Sequence, residues 1–351
     1  MVSKTLIVVL IGLLGMVYQA TQLPPPNSIN DPPVTSPRIR LSDGRYLAYT
    51  ERGVPKNQSN YRIVIVHGFG SSKDMNFPAT QELIEELGIY FLLYDRAGYG
   101  DSDPNPRLSV KRVAFDILEI ADQLNLGAKF YLIGVSMGSY PTWSCLKYIP
   151  HRQNIEQLAG AALIAPVVNY QWPSLPYSLI KMDYRRKLVL WSLWISKYAP
   201  GLLHWWVTQK WFPSTSVVEK NPVFFSDRDI EILKKTKGFP MLTQDRLQDR
   251  GVFNTLRDDF LMGFGDWEFD PMELSNPFPE NESSVHIWQG YEDKVVPFQI
   301  QRYISGKLGW IKYHEVVDGG HLIVHYNGVC DSVLRALLVS KDCPVHKSST
   351  E

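Results

Sequence analysis

Residues 131–140 read YLIGVSMGSY, and the way this decapeptide folds decides the architecture of the chain. Tyr131-Leu132-Ile133 has the continuous apolarity of a strand buried on both faces. A serine at position 136 fills such a core poorly. Gly134 and Gly138 supply a reason for it. A strand that turns sharply into a helix leaves its apex residue strained, and a Cβ on either side of that apex would strike the neighbouring strand or helix. The serine hydroxyl then stands clear of the sheet, beside the first N–H groups and the positive dipole end of the helix. The bare pattern Gly-x-Ser-x-Gly arises by chance in roughly one chain in ten of this length at ordinary glycine content. The strand before it and the helix after it give it weight.

The flanking sequence alternates in the same way. Upstream, residues 38–53 read as a hairpin turning at Asp43-Gly44, 61–68 as a strand, 78–87 as a helix, 89–98 as a strand and 110–126 as a helix. Val113, Ile117, Ile120, Ala121 and Leu124 share one face of that last helix. Downstream come a helix over 138–148 and a strand over 159–167. The alternation then stops. Residues 169–276 hold helix-like segments, no convincing strand, and seven of the chain's ten tryptophans (Trp172, Trp191, Trp194, Trp205, Trp206, Trp211 and Trp267). It resumes with a strand over 285–290, a helix over 298–308, a strand over 311–317 and a final helix from His321. This pattern predicts an α/β fold with a mostly parallel sheet flanked by helices. Its core spans 38–168 and 277–345, a helical lid over 169–276 is inserted, and an apolar segment (1–20) and a proline-rich linker (21–37) precede it.

A serine hydroxyl is a weak nucleophile that needs a base, and the base needs an orienting acid. Asp293 stands just after a strand in GYEDKVVP (290–297), and His321 follows the last strand in DGGHLIVH (318–325). The chain order Ser136, Asp293, His321 suits a nucleophile on a strand-turn-helix. Glu292 is the rival acid and His325 the rival base; Lys294-Val295-Val296-Pro297 favours Asp293 as the loop residue. His321 and His325 stand four apart, as metal ligands on a helix face do, but no glutamate accompanies them as in H-E-x-x-H. His314, inside a strand pattern, reads as structural. In HGFG (67–70), the backbone N–H of Phe69, together with that of Met137, is placed to receive an oxyanion. Residues 68–73 lack the Gly-Lys-Ser/Thr ending of a phosphate loop, and Gly98 and Gly100 lack the third glycine of a dinucleotide fingerprint.

Taken together, HGFG, DRAGYGDS (95–102), GVSMG, GYEDKVVP and GGH resemble the α/β-hydrolase superfamily, in particular its lidded esterase- and lipase-like serine hydrolases, over about residues 38–339. The resemblance implies a Ser136–His321–Asp293 triad acting on carboxylic esters, lipid-like acyl esters among them, with no metal or organic cofactor. Asp95 and Arg96 belong to the family pattern and read as buttresses of the active-site loops. Serine rather than aspartate at 136 separates the chain from the epoxide-hydrolase and dehalogenase branches. One fold hosts many activities, so two alternatives stand: a ligand receptor that keeps the hydrolase pocket, and a lyase or C–C hydrolase using the same triad.

The 351 residues carry a formal net charge of +0, without the basic footprint of a nucleic-acid binder. Cys145, Cys330 and Cys343 form no CxxC pattern; Cys330 and Cys343 are near enough to pair in an oxidising compartment, with two free thiols as the alternative. Lys4 precedes an uncharged apolar run over 5–18, the length of a signal-peptide core and short of the ~20 residues that span a bilayer. Cleavage after Ala20 would put Tyr18 where a small residue is preferred, so a signal peptide and an uncleaved signal anchor both stand, with a buried first helix as the third reading. Either of the first two puts the body in the lumen of the endomembrane system or outside the cell, which the sequons at Asn57 and Asn281 suit. The expected partners are an ester substrate and, through the N-terminal segment, a membrane. Within the lid, residues 184–212 are apolar nearly all round the helix, which predicts burial against the sheet. The competing reading is a face that dips into a membrane, with Arg185, Arg186 and Lys187 at the headgroups.

Overall fold

The computed structural model describes residues 4–23, 34–149, 157–181, 183–209, 224–236, 239–279 and 283–339. Eight strands form one sheet: β1 (Arg38–Arg40), β2 (Tyr46–Gly53), β3 (Tyr61–Val66), β4 (Ile89–Tyr94), β5 (Lys129–Val135), β6 (Gln157–Ile164), β7 (Val285–Gly290) and β8 (Ile311–Val316). They lie in the order β1-β2-β4-β3-β5-β6-β7-β8. β1 and β2 pair antiparallel, as does β2 with β4, and every other pair is parallel. β5 therefore lies inside the sheet between β3 and β6.

Helices cover both faces because the strand side chains alternate. Val64, Val66 and Leu132 point to one face, where they join Ile117, Ile120 and Ala121 of α3 (Val110–Gln123), Tyr140 and Trp143 of α4 (Ser139–Tyr148), and Ile300 and Ile304 of α11 (Phe298–Lys307). Ile63, Ile65 and Ile133 point to the other, against Leu83 and Ile84 of α2 (Gln81–Leu87) and Val333, Leu334 and Leu337 of α12 (Val329–Val339). Ser109 caps α3 by accepting from the Arg112 N–H at 3.3 Å. The helix ends at Gln123, short of the expected 126, because Asn125 takes a left-handed conformation with φ +52°.

Between β6 and β7 the described residues contain no strand. They form α5 (Tyr177–Ile180), α6 (Tyr184–Tyr198), α7 (Pro200–Thr208), α8 (Asp227–Lys235), α9 (Gln244–Gln248) and α10 (Arg250–Phe264). α6 packs on α10 and α7 on α9. Two expectations need correction. His321 does not begin a helix: it stands in a loop, a short turn follows at Ile323–His325, and α12 starts only at Val329. Asp229 captures the backbone N–H groups of His321 and Leu322, and this holds the segment in its loop. Burial of the aromatic lid segment fails as well. Only Ile195 and Ser196 of α6 and Gly201 of α7 are buried, and Trp191, Trp194, Trp205 and Trp206 are exposed.

The N-terminal α1 (Lys4–Thr21) lies against α7. Among the described residues no helix is long and apolar enough to cross a membrane, so the expected anchor or signal gains no support here. Cys145 and Cys330 are buried free thiols. Cys343, Asn281, Trp211 and most of the proline-rich linker lie outside the described residues.

Candidate active site

Ser136 follows the last residue of β5 and heads a single 3₁₀ turn (Ser136–Gly138) that runs into α4. Its φ is +51°, a conformation costing roughly 1–3 kcal/mol for a residue with a side chain. The two glycines permit it. A Cβ on Gly138 would lie 2.1 Å from the Val66 carbonyl oxygen, and one on Gly134 would lie 2.2 Å from Thr142 Oγ1.

The structure brings Ser136, His321 and Asp293 together from three separate loops. Ser136 Oγ lies 2.9 Å from His321 Nε2, and His321 Nδ1 lies 2.9 Å from Asp293 Oδ2. Asp293 is buried among donors: Oδ1 accepts from the Val295 and Val296 N–H groups at 2.8 Å each, and Oδ2 from Gln289 Nε2 at 2.9 Å. An acceptor-only carboxylate fixes the imidazole tautomer. Nδ1 carries the proton toward Asp293, which leaves Nε2 to accept from the serine hydroxyl. Glu292, the rival acid, is exposed. His325 lines the same cavity, but it is His321 that accepts the hydrogen bond from Ser136.

Burial acts against a charged His321, but Asp293, through charge and hydrogen bond, and then Asp229 outweigh it, so its pKa lies above the ordinary 6.5. His67, directly after β3, behaves oppositely. Burial first, then the Arg96 charge, holds it neutral. Its Nε2 accepts from the Arg96 N–H at 3.1 Å, which pins the loop after β4 to the loop after β3.

Behind the triad, Arg96 forms a buried ion pair with Asp259 of α10, with Nη2 to Oδ2 at 2.8 Å, and Tyr99 Oη donates to the same oxygen at 2.6 Å. Asp95 accepts from the Lys73 backbone N–H at 2.7 Å, from Lys73 Nζ at 2.8 Å and from the Asp101 N–H at 3.1 Å. Both residues thus hold loops rather than face the cavity.

Phe69 and Met137 flank Ser136 in the cavity wall. The Gly68 backbone passes so close that a Cβ there would lie 3.2 Å from Ser136 Cβ. Met137 sits within the turn that opens α4, where N–H groups have no intrahelical acceptor. The cavity holds about 280 Å³ and is walled mainly by Phe224, Phe225, Phe239, Leu242, Phe260 and Phe264, with Ser136 and His321 among its few polar groups. Among the described residues no cluster of three or more His, Cys, Asp or Glu is placed to hold a metal ion.

A profile of the Alpha/beta hydrolase family matches residues 63–328. The chain belongs to this family. No curated protein matches the α/β-hydrolase in sequence. Among solved structures it is similar to an esterase from Exiguobacterium antarcticum (TM-score 0.60, 19% identity, 86% of this chain and 98% of that one). It is also similar to a thermophilic esterase from Thermogutta terrifontis (TM-score 0.54, 18% identity, 86% and 97%). A bromoperoxidase from Bacillus anthracis matches as well (TM-score 0.57, 17% identity, 86% and 98%). At these identities the likeness establishes the fold, and the reaction has to be argued from the site.

Asp229 is the site residue that the sequence reading missed. It is fully buried on α8, accepts from the N–H groups of His321 and Leu322 at 2.8 and 2.9 Å, and accepts from Tyr326 Oη at 3.1 Å. Gly320 makes room for it, since a Cβ there would stand 2.0 Å from Asp229 Oδ2. The available signal was Ser226-x-x-Asp229 before an amphipathic run, a capping box that the structure does contain. That pattern marks the start of a helix and says nothing of the loop the helix grips.

Proposed function

We propose that this α/β-hydrolase cleaves carboxylic esters with an apolar acyl group through an acyl-enzyme on Ser136. Ser136 Oγ attacks the ester carbonyl carbon while its proton passes to His321 Nε2. The carbonyl oxygen becomes the oxyanion, received by the backbone N–H groups of Phe69 and Met137. Collapse expels the alkoxide, which takes the proton from His321 and leaves as alcohol. Water then gives a proton to His321 and its oxygen attacks the acyl carbon. The acid departs, and Ser136 recovers the proton. Asp293 keeps Nδ1–H directed toward itself and stabilises the imidazolium that forms in each half.

The observation that carries this reading is the pair of 2.9 Å contacts, Ser136 to His321 and His321 to Asp293, on the wall of an aromatic cavity. The phenylalanine walls suit an acyl chain, for which each methylene in such a pocket is worth about 1–3 kcal/mol. The test is turnover of p-nitrophenyl esters of increasing acyl length. Ser136→Ala is expected to lower kcat by about 10³-fold or more while the protein stays folded. Unchanged turnover in that variant would contradict the proposal.

A further inference from the structure

We propose that the outward face of lid helices α6 and α7 is a docking surface for an anionic lipid bilayer. The proposal is independent of the serine chemistry and rests on what the lid shows to solvent. On α6, Tyr184, Leu188, Trp191, Trp194 and Tyr198 recur at intervals of three and four, which places them on one strip. That strip is exposed, Trp191 by 57% and Trp194 by 58%. On α7, Leu202, Trp205 and Trp206 repeat the spacing, with Trp205 63% exposed. The opposite side of α6 is already occupied, since Val189 and Leu193 pack against the core. Large apolar side chains gain free energy by leaving water, so a contiguous strip left in water marks a surface with an occupant.

Charge and residue type select that occupant. Over residues 177–209 the chain carries Lys181, Arg185, Arg186, Lys187 and Lys197 against one carboxylate, Asp183, although the whole chain has 36 cations and 36 acids. Lys187 lies on the strip itself, three residues after Tyr184 and four before Trp191, and two further cations lie over exposed rings, Arg186 over Tyr177 at 5.4 Å and Lys197 over Tyr198 at 5.4 Å. Indole and phenol rings favour the headgroup level of a bilayer, and basic side chains favour anionic headgroups. A second copy of this chain would bring the same cations face to face, which opposes self-docking. α6 and α7 have 15 and 9 residues, short of the ~20 that span a bilayer, so the surface lies on the membrane.

The geometry also connects this face to the cavity. Val207 of α7, Phe69 and Leu242 pack against one buried cluster that contains Tyr99 and Met241, and Phe69 and Leu242 also line the cavity beside Ser136. α7 thus packs on the cluster beside the cavity with one side and shows the aromatic face on the other. α1 lies against α7, and its exposed Ile7–Tyr18 side chains extend the apolar surface.

The test uses the full chain with vesicles of phosphatidylcholine and phosphatidylserine bearing brominated acyl chains, which quench only indoles at acyl depth. Residues 1–23 contain no tryptophan, so insertion of α1 itself is silent. Adding vesicles is expected to cause a loss of tryptophan fluorescence. That loss should disappear when Trp191, Trp194, Trp205 and Trp206 are all changed to serine. It should weaken in Arg186→Glu/Lys187→Glu/Lys197→Glu and in vesicles of phosphatidylcholine alone. Hydrolysis of a soluble ester, where it occurs, and the circular dichroism spectrum both check that the variants fold. Fluorescence that stays unquenched, whether or not the protein floats with the vesicles, would overturn the proposal. So would quenching that survives the four serine substitutions, or that is equal with and without phosphatidylserine. A concentration-dependent dimer abolished by the serine substitutions, with no quenching, would assign the face to a second copy and overturn it too.

Discussion

Asp229, on a helix of the lid, accepts a 2.8 Å hydrogen bond from the backbone N–H of His321. The helical segment between β6 and β7 therefore does more than line the cavity; it holds the loop that carries His321. Asp229→Asn replaces one acceptor oxygen with a donor facing other donors, and the loop must shift. A displacement of about 1 Å at a catalytic group can cost about 10²-fold in rate. The expected result is a fall in kcat of that order, with KM for a p-nitrophenyl ester nearly unchanged. If both parameters match wild type, the loop does not depend on this carboxylate.

In the proposed mechanism, the raised pKa of His321 sets the acidic limb of activity. Only the neutral imidazole accepts the Ser136 proton, so turnover falls as pH drops through the pKa. Burial lowers that pKa, and Asp293 and Asp229 raise it further than burial lowers it. A kcat/KM profile should therefore show its acidic midpoint above 6.5. Asp293→Asn removes the larger upward contribution, so the midpoint should move down while the plateau also falls. A wild-type midpoint below 6.5 would refute this electrostatic account.

The Arg96–Asp259 ion pair ties the loop after β4 to the lid, with side chains only 4% and 3% exposed. Removing one partner leaves the other charged, buried and unpaired, at about 3–5 kcal/mol. Asp259→Ala is expected to lower the unfolding free energy, measured by denaturant titration, by that amount. The pair Arg96→Met/Asp259→Leu should cost less than either single change. Simple additivity of the two would show that the charges are not coupled.

His286 supplies an acid-sensitive contribution to stability. It is buried, with Nε2 2.7 Å from Ser284 Oγ and Nδ1 2.8 Å from His314 Nε2. Burial, then the charges of His314 and Lys312, push its pKa down from 6.5 to about 3. A histidine with a depressed folded pKa contributes stability that is present above its unfolded value and lost as pH falls toward the folded one. Melting temperature should thus decline between pH 6.5 and about 3 more steeply in wild type than in His286→Gln. Parallel slopes in the two proteins would contradict it.

The legible parts of the molecule are those set by local rules. Gly134-Val135-Ser136-Met137-Gly138 announces a strand, a strained apex and a helix, and the alternation of apolar runs yields the sheet. The strand expected to reach Gly98 ends at Tyr94; the loop after β4 is itself buried around Asp95 and Arg96 and so keeps the apolar pattern going. His321 read as helical because LIVH continues an apolar run, whereas its conformation comes from Asp229, 92 residues away. The orientation of Trp191 and Trp205 was not legible either. Periodicity shows that a helix is apolar all round, but not which side another element covers. That depends on tertiary packing between α6, α7, α9 and α10.

The most direct test of the central claim is covalent labelling by a fluorophosphonate, with the modified residue located by mass spectrometry in wild type and Ser136→Ala. An activated serine bonded to His321 at 2.9 Å predicts rapid labelling at Ser136 alone, abolished in the variant. A folded wild type that resists the probe, or labelling that persists in Ser136→Ala, would contradict the account.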